Sequence, residues 1–281
     1  MGQVLGIVSI KGGVGKTTVS ASLAYDLANN YHKKILLVDA NYSAPNLGLH
    51  MDIVVPDNTI HDVLAGRSNL SSAIHEKFGV DVIPGSYDYG RNVNVLKLRD
   101  RIQSVKNKYD FVIIDSSPSL NEEVLSTILA SDHLFVVTTP DYPTLSCSIR
   151  AAKLAGQRGK PITGIILNKV RDPNYELELS FIEEALGIPV VARIPDDKMS
   201  NRALFLRIPV SLYSKRSLFS KEISKLSAAI TLQKEPKSLF KKMFSFNFSR
   251  EEVNRQRLKD YFYTSIFAEN ASAYLIGKKT D

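Results

Sequence analysis

The chain has 281 residues, of which 44% are hydrophobic and 23% are charged, and this composition is typical of a folded protein rather than a disordered one. Its single cysteine, Cys147, excludes a disulfide scaffold and any zinc or iron–sulfur site that needs several thiolates from one chain. The net charge of +7 lies in the last part of the sequence, because residues 1–214 carry 22 basic and 22 acidic side chains whereas residues 215–281 carry 14 and 7.

Short β-branched apolar runs alternate with helical patterns along the first 232 residues. We predict strands at 4–9, 34–38, 80–83, 111–114, 134–138, 162–167 and 190–192. We predict helices at about 16–30, 58–65, 92–107, 121–130, 142–157, 175–186 and 217–232. The alternation predicts an α/β fold with a mostly parallel, twisted sheet of about seven or eight strands and helices on both faces. Ligands of such sheets bind at the carboxyl ends of the strands.

The strongest motif follows the first predicted strand and opens the first predicted helix. Its residues are Lys11, Gly12, Gly13, Val14, Gly15, Lys16, Thr17 and Thr18. This is the context of a phosphate-binding loop, because glycines let backbone N–H groups curl around an anion and the helix N-terminus adds positive charge. We predict that residues 12–18 bind nucleotide phosphates, with Lys16 on the β- and γ-phosphates and the Thr17 hydroxyl on Mg²⁺.

Two further predicted strands lead into an aspartate at their carboxyl ends, Asp39 and Asp115. A carboxylate at the end of a buried strand beside a phosphate loop is suited to hold magnesium or a magnesium-bound water. Thr17, Asp39 and Asp115 are therefore the predicted magnesium site.

The loop departs from the usual G-x-x-x-x-G-K-[ST] pattern, because Ile10 takes the first glycine position and Lys11 follows it. It resembles the K-G-G-x-G-K-[ST] signature of the deviant Walker A ATPases, the MinD/ParA family, and the resemblance covers about residues 1–232. It implies a P-loop ATPase that uses ATP and Mg²⁺. It also implies an ATP-bound sandwich dimer, in which Lys11 reaches the nucleotide of the second subunit.

The same resemblance assigns the adenine contacts to Asn168, Pro195 and Asp196. One residue departs from the family, whose D-x-D motif uses its second aspartate to position the attacking water, whereas this chain has Asn41 two residues after Asp39. An asparagine can orient water but cannot accept a proton at neutral pH. We therefore predict that Asn41 positions water, that hydrolysis is slow and that the ATP state is long-lived.

Residues 237–248 combine lysines with large apolar side chains. On a helix, five of the apolar residues fall within an arc of about 160° and Phe248 lies at its margin, which is the pattern of a short in-plane membrane helix. The predicted membrane residues are Leu239, Phe240, Lys241, Lys242, Met243, Phe244 and Phe246. A helix this short binds an anionic membrane weakly alone and far better as two copies in a dimer. A core-packing helix is the alternative.

We therefore predict an ATPase domain at 1–232, a hinge and membrane-targeting helix at 233–248, and a C-terminal extension at 249–281. The extension could form a second membrane helix, a coiled partner site or a helix packed back on the domain. The favoured function is that of a MinD-like ATPase, cytoplasmic and peripheral on the inner face of the cell membrane, which acts in division-site or other intracellular positioning with an unidentified protein activator or effector. The alternatives are a ParA-like DNA-partitioning ATPase, which the tail phenylalanines disfavour, and a nucleotide-switched scaffold with little hydrolysis.

Overall fold

The computed structural model describes residues 2–87, 93–172, 174–234 and 249–277, with side chains up to residue 264. Within these ranges the chain forms eight strands: β1 Gln3–Val8, β2 Ile35–Ala40, β3 His75–Lys77, β4 Val80–Ile83, β5 Phe111–Ser116, β6 His133–Thr138, β7 Ile162–Val170 and β8 Val190–Pro195. They form one sheet in the order β3-β4-β2-β5-β1-β6-β7-β8. Neighbouring strands are parallel except at the β3–β4 edge, so the predicted mostly parallel sheet is confirmed.

Helices connect the strands and cover both faces of the sheet. They are α1 Lys16–Asn30, α2 Leu47–His50, α3 Ile60–Leu64, α4 Leu98–Gln103, α5 Glu122–Ala130, α6 Tyr142–Gln157, α7 Leu179–Leu186, α8 Lys198–Phe205, α9 Val210–Tyr213, α10 Leu218–Ile230 and α11 Arg250–Gly277. Alternate strand residues point to opposite faces. Leu5 and Ile7 therefore pack with α1 and α10, whereas Val4 lies in the opposite layer with α4.

Two helix predictions were too long, and three α-helices and one strand were missed. The predicted helix 92–107 is a 3₁₀ turn followed by α4 and a second 3₁₀ turn, as far as the described residues reach. The predicted helix 175–186 begins only at Leu179, the first residue of α7, because residues 176 and 177 form hydrogen bonds outside the helix. The Leu177 N–H donates to the carbonyl of Pro140, which follows β6 (3.0 Å). Glu176 accepts from the N–H of Arg171, which follows β7 (2.7 Å). The elements that were not predicted are α2, α8, α9 and β3. β3 has the polar sequence His-Glu-Lys, so it lacks an apolar strand pattern.

The first half of α11 packs back on the domain, which is one of the alternatives that the sequence left open for residues 249–281. Phe262 is fully buried and Leu258 nearly so, and both belong to the core cluster that contains Leu5. The Asn254 side chain donates to the Val190 carbonyl (2.8 Å) and ties α11 to the edge strand β8. The hydrophobic core therefore includes residues beyond 232.

The predicted membrane-targeting helix falls in residues 235–248, outside the described ranges, so it stays a prediction. Residues 278–281 of the predicted extension also lie outside these ranges. Within the described part of the chain, no helix is both long and apolar enough to cross a membrane.

We expect Phe262→Ala to lower the free energy of unfolding by about 3 kcal/mol or more, because it removes a fully buried ring and leaves a cavity. The half-exposed Val253→Ala, on the same helix, should change it by less than about 0.5 kcal/mol. Urea unfolding curves measure both. Equal effects of the two substitutions would show that α11 is not part of the cooperative core.

Candidate nucleotide site

The carboxyl ends of the strands open into a cavity of about 440 Å³. Ten of the predicted nucleotide-site residues line it: Gly12, Gly13, Gly15, Lys16, Thr17, Thr18, Asn41, Asn168, Pro195 and Asp196. Asp39 and Asp115 lie fully buried at the ends of β2 and β5, and Val14 packs into the core. The structure thus brings most of the predicted site residues together around one cavity, with Lys11 outside its lining.

The phosphate loop is held in shape by the end of β7. Gly13 and Gly15 have φ angles of +80° and +92°, a left-handed conformation that favours glycine. The Asn168 side chain donates to the Val14 carbonyl (2.8 Å), and the Lys169 ammonium donates to the Gly13 carbonyl (2.7 Å). A Cβ on Gly15 would lie 2.4 Å from the Asn168 side-chain nitrogen, so this residue must be glycine on two counts.

Lys16 is the first residue of α1 and its side chain lines the cavity while the residue is only 7% exposed. Burial lowers the pKa of its ammonium group, and the Asp115 carboxylate partly opposes that shift. Within the described residues, no carboxylate lies within 4.0 Å of the ammonium nitrogen to form a salt bridge. A buried cation of this kind is stabilised by an anionic ligand, since burial of an unpaired charge is costly.

The two predicted carboxylates lie side by side, because Asp39 and Asp115 are paired in the register of β2 and β5. Asp115 accepts hydrogen bonds from the hydroxyls of Thr17 (2.7 Å) and Ser20 (2.8 Å). Asp39 accepts the backbone N–H groups of Asn41 and Leu47, both at 3.0 Å. Both carboxyl groups are therefore held in fixed positions from α1 and from the loop after β2.

Burial, and to a lesser extent the neighbouring Asp115 charge, raise the pKa of Asp39 to about 7, although the backbone N–H groups that bond to it oppose the shift. Burial also raises the pKa of Asp115, while the Lys16 ammonium opposes the change. Two adjacent buried carboxylates and the Thr17 hydroxyl offer the hard oxygen ligands that Mg²⁺ prefers, and a divalent cation would offset their mutual repulsion. The residues present therefore fit a magnesium ion.

Asn41 is bound to its own loop through one end of its amide. Its Nδ2 donates to the Ala44 carbonyl (2.5 Å), whereas its buried Oδ1 has no hydrogen-bond partner within the described residues. The residue lines the cavity, and its buried Oδ1 meets a water molecule there when the side chain turns toward the cavity. The same loop is anchored by Glu123, which accepts a hydrogen bond from the Ser43 hydroxyl and which the sequence did not single out.

The predicted adenine side of the cavity contains residues that sequence reasoning missed. Arg171 forms a salt bridge with Asp196 (2.7 Å), and the phenyl ring of Phe219 also lines the cavity. Both follow strand ends or begin a helix, and no local motif marks them. The roles of Asn168, Pro195 and Asp196 in binding adenine stay predictions.

Lys11 is half-buried and lies near Asp141, which caps the N-terminus of α6 by accepting the Thr144 N–H (2.9 Å). Burial alone would raise the pKa of Asp141, but hydrogen bonds from Thr139 and Thr144 and the nearby Lys11 charge bring it below its usual range. Lys11 therefore lies at the edge of the nucleotide site and does not line the cavity of its own subunit.

A parallel sheet whose central strand leads through such a loop into a helix is the fold of the P-loop nucleotide hydrolases. Residues 2–148 match a family model described as an AAA domain. The chain is 32% identical, over 88% of its length and 94% of the relative, to an uncharacterized ATP-binding protein of Methanocaldococcus jannaschii.

Two solved structures extend the comparison. The Pyrococcus furiosus cell division ATPase MinD is 32% identical with a TM-score of 0.78, over 83% of this chain and 99% of that one. The septum site-determining protein MinD of Pyrococcus horikoshii, solved with Mg-ADP, is 30% identical with a TM-score of 0.77, over 83% and 97%. The chain therefore belongs to the MinD/ParA family of P-loop ATPases.

We expect Gly15→Ala to weaken ATP binding by at least about tenfold more than Gly13→Ala. Both substitutions place a side chain at positive φ, but only the Gly15 Cβ meets Asn168, whereas the Gly13 Cβ meets nothing within 4 Å. Calorimetric titration of each variant with ATP measures the difference. Equal losses would mean that the Asn168 contact does not shape the loop.

Proposed function

We propose that this chain binds Mg²⁺ and ATP in the cavity, hydrolyses ATP slowly and forms an ATP-dependent homodimer on the inner face of the cell membrane. There it acts in division-site or other intracellular positioning, together with a protein activator or effector. The observation that carries the proposal is the buried Lys16 ammonium at the head of α1, beside the paired carboxylates Asp39 and Asp115. This arrangement is suited to an anionic phosphate chain with a divalent cation.

The chain's own groups suffice for positioning the reactants. The loop N–H groups and Lys16 would hold the phosphates, and Thr17, Asp39 and Asp115 would hold Mg²⁺. When bound, Mg²⁺ neutralises charge that develops on the phosphate oxygens. The free Oδ1 of Asn41 accepts a hydrogen bond from the attacking water and orients it, but the amide takes up no proton. Hydrolysis is therefore slow, because Asn41 orients the water but does not accept its proton.

We predict that Asn41→Asp raises the single-turnover rate of ATP hydrolysis by about tenfold, because a carboxylate can both orient the water and accept its proton. Asn41→Ala should slow the reaction while it leaves ATP affinity almost unchanged. Quenched-flow measurement of labelled phosphate release decides the matter. An aspartate variant that is no faster would contradict the role of Asn41, and near-zero turnover of the natural protein with tight ATP binding would favour a scaffold.

The dimer is proposed from the position of Lys11. The side chain lies at the rim of the site, near Asp141, where a second subunit could present its nucleotide. The family resemblance gives this lysine that role across the interface. A cation that acts only in the dimer should contribute little to ATP binding by the monomer.

We expect Lys11→Ala to abolish the ATP-dependent dimer while ATP affinity stays within about threefold of the natural protein, because a contact across the interface is lost and no phosphate contact within the monomer. The exposed Lys153→Ala on α6 serves as the control and should dimerise normally. Light scattering with size-exclusion chromatography, in ATP and in ADP, measures the state. A Lys11 variant that still dimerises with ATP would refute this role.

Membrane association is proposed on residues 237–248, from the segregation of phenylalanine, leucine and methionine from lysine in that sequence. Two copies in one dimer would bind cooperatively, which links the ATP state to the membrane. The proposed function thus depends on ATP, which raises the number of membrane-binding helices in one complex from one to two.

We predict that anionic vesicles recruit the protein with ATP far more than with ADP, and that Phe240→Glu with Phe244→Glu lowers this recruitment by about tenfold or more. Co-sedimentation measures it, and the Lys241→Arg variant, which keeps the charge, is the control. Binding to duplex DNA but not to vesicles would instead favour a DNA-partitioning function.

A further inference from the structure

One stretch of the surface has an unusual charge pattern. Residues 198–221 contain no acidic side chain and six basic ones: Lys198, Arg202, Arg207, Lys215, Arg216 and Lys221. All six are exposed, and among the described residues none of them forms a salt bridge. These cations are therefore available to an anionic partner.

Large apolar side chains are exposed among these cations. Phe205 is 86% exposed, Leu218 61%, Leu206 50% and Leu204 46%. Three of them, residues 204–206, are consecutive at the end of α8. The Arg207 N–H donates to the Leu204 carbonyl (3.0 Å), which keeps Arg207 beside these apolar residues. We call the six cations and these four apolar residues the basic–apolar surface.

The two ends of this surface are near each other in the fold. Leu204 of α8 and Phe219 of α10 line the same nucleotide cavity, and Leu218 directly precedes Phe219. On α8 the inward residue is Ala203, which is fully buried, so the exposed residues that follow it are not part of the core. An apolar cluster of this kind on a protein surface typically marks an interaction site.

The same surface of a second copy of this chain is excluded as the binding partner, because six unpaired cations would then face six more. Duplex DNA would satisfy the cations, but its phosphate backbone offers nothing to the exposed phenylalanine and leucines, and its bases are stacked inside the helix. An anionic lipid bilayer satisfies both, since apolar side chains enter the acyl boundary while arginine and lysine remain at the headgroups.

We propose that the basic–apolar surface docks on an anionic lipid bilayer, with Phe205 and Leu206 inserted at the interface. This contact is separate from the helix proposed at residues 237–248 and does not depend on it. Because α8 begins directly after Asp196 and Asp197 at the cavity wall, the bilayer would lie close to the nucleotide. If the lipid contact changes the affinity for nucleotide, the nucleotide changes the affinity for lipid by the same factor.

The test uses the full chain and vesicles of phosphatidylcholine with about one third phosphatidylglycerol, with pure phosphatidylcholine as the neutral control. We expect Phe205→Ser with Leu206→Ser, and separately Arg202→Gln with Arg207→Gln, each to lower the affinity for anionic vesicles by about tenfold. Val55→Ser is the matched control, because Val55 is 88% exposed outside this surface and should bind unchanged. Thermal melts check that each variant remains folded.

The same variants are made in the Phe240→Glu, Phe244→Glu background, which separates the two proposed contacts. Residual binding that Phe205→Ser with Leu206→Ser abolishes would support the basic–apolar surface. Unchanged vesicle binding in both the apolar and the arginine variants would overturn it and leave the helix at 237–248 standing. Binding to random duplex DNA that Arg202→Gln with Arg207→Gln weakens, without any binding to vesicles, would also overturn it.

Discussion

Two carboxylates buried side by side constrain the whole nucleotide site. Asp39 and Asp115 face each other across β2 and β5, and each takes its hydrogen bonds from a different element. Burial raises both pKa values, and the Asp115 charge adds to the rise at Asp39, so the protein alone leaves this part of the site electrostatically incomplete. A cation beside them and an anion on Lys16 would complete it together, which is the chemistry of a metal-bound nucleotide.

The same carboxylates belong to a set of hydrogen bonds that links α1, the loop after β2 and α5. The Thr17 hydroxyl contacts both Asp115 and the Asn46 side chain (3.0 Å), so a ligand that draws Thr17 away is felt in the loop after β2. That loop also contains Asn41 and is anchored by Ser43 on Glu123 of α5. A ligand bound in the site can therefore affect the loop after β2 at the surface of the domain through these direct contacts.

The sequence predicted those parts of the site whose chemistry is local. A glycine-rich loop between strand and helix identifies Lys16 and Thr17, since backbone geometry and helix polarity decide their role. Arg171 and Glu123 could not be predicted, because their partners, Asp196 and Ser43, lie 25 and 80 residues away.

The packing of α11 was left open for a similar reason. Its apolar positions make only a diffuse stripe in the sequence. The burial of Phe262 comes from tertiary contacts, among them the ring of His133 on β6 at 4.3 Å between centroids, while α11 packs against β8 and α10. The exposed phenylalanine and leucines after α8 likewise could be distinguished from core residues only once the fold was known, since the sequence does not show which helix face is covered.

The most direct measurement is ATP affinity with and without Mg²⁺, by calorimetry, for the natural protein and for Asp115→Asn. If the paired carboxylates form the cation site, Mg²⁺ strengthens ATP binding by the natural protein by about tenfold or more, and the variant loses most of that gain. The Mg²⁺-free affinity of the variant should change little, because the loop and Lys16 remain. An equal gain from Mg²⁺ in both proteins would contradict a magnesium site at Asp39 and Asp115.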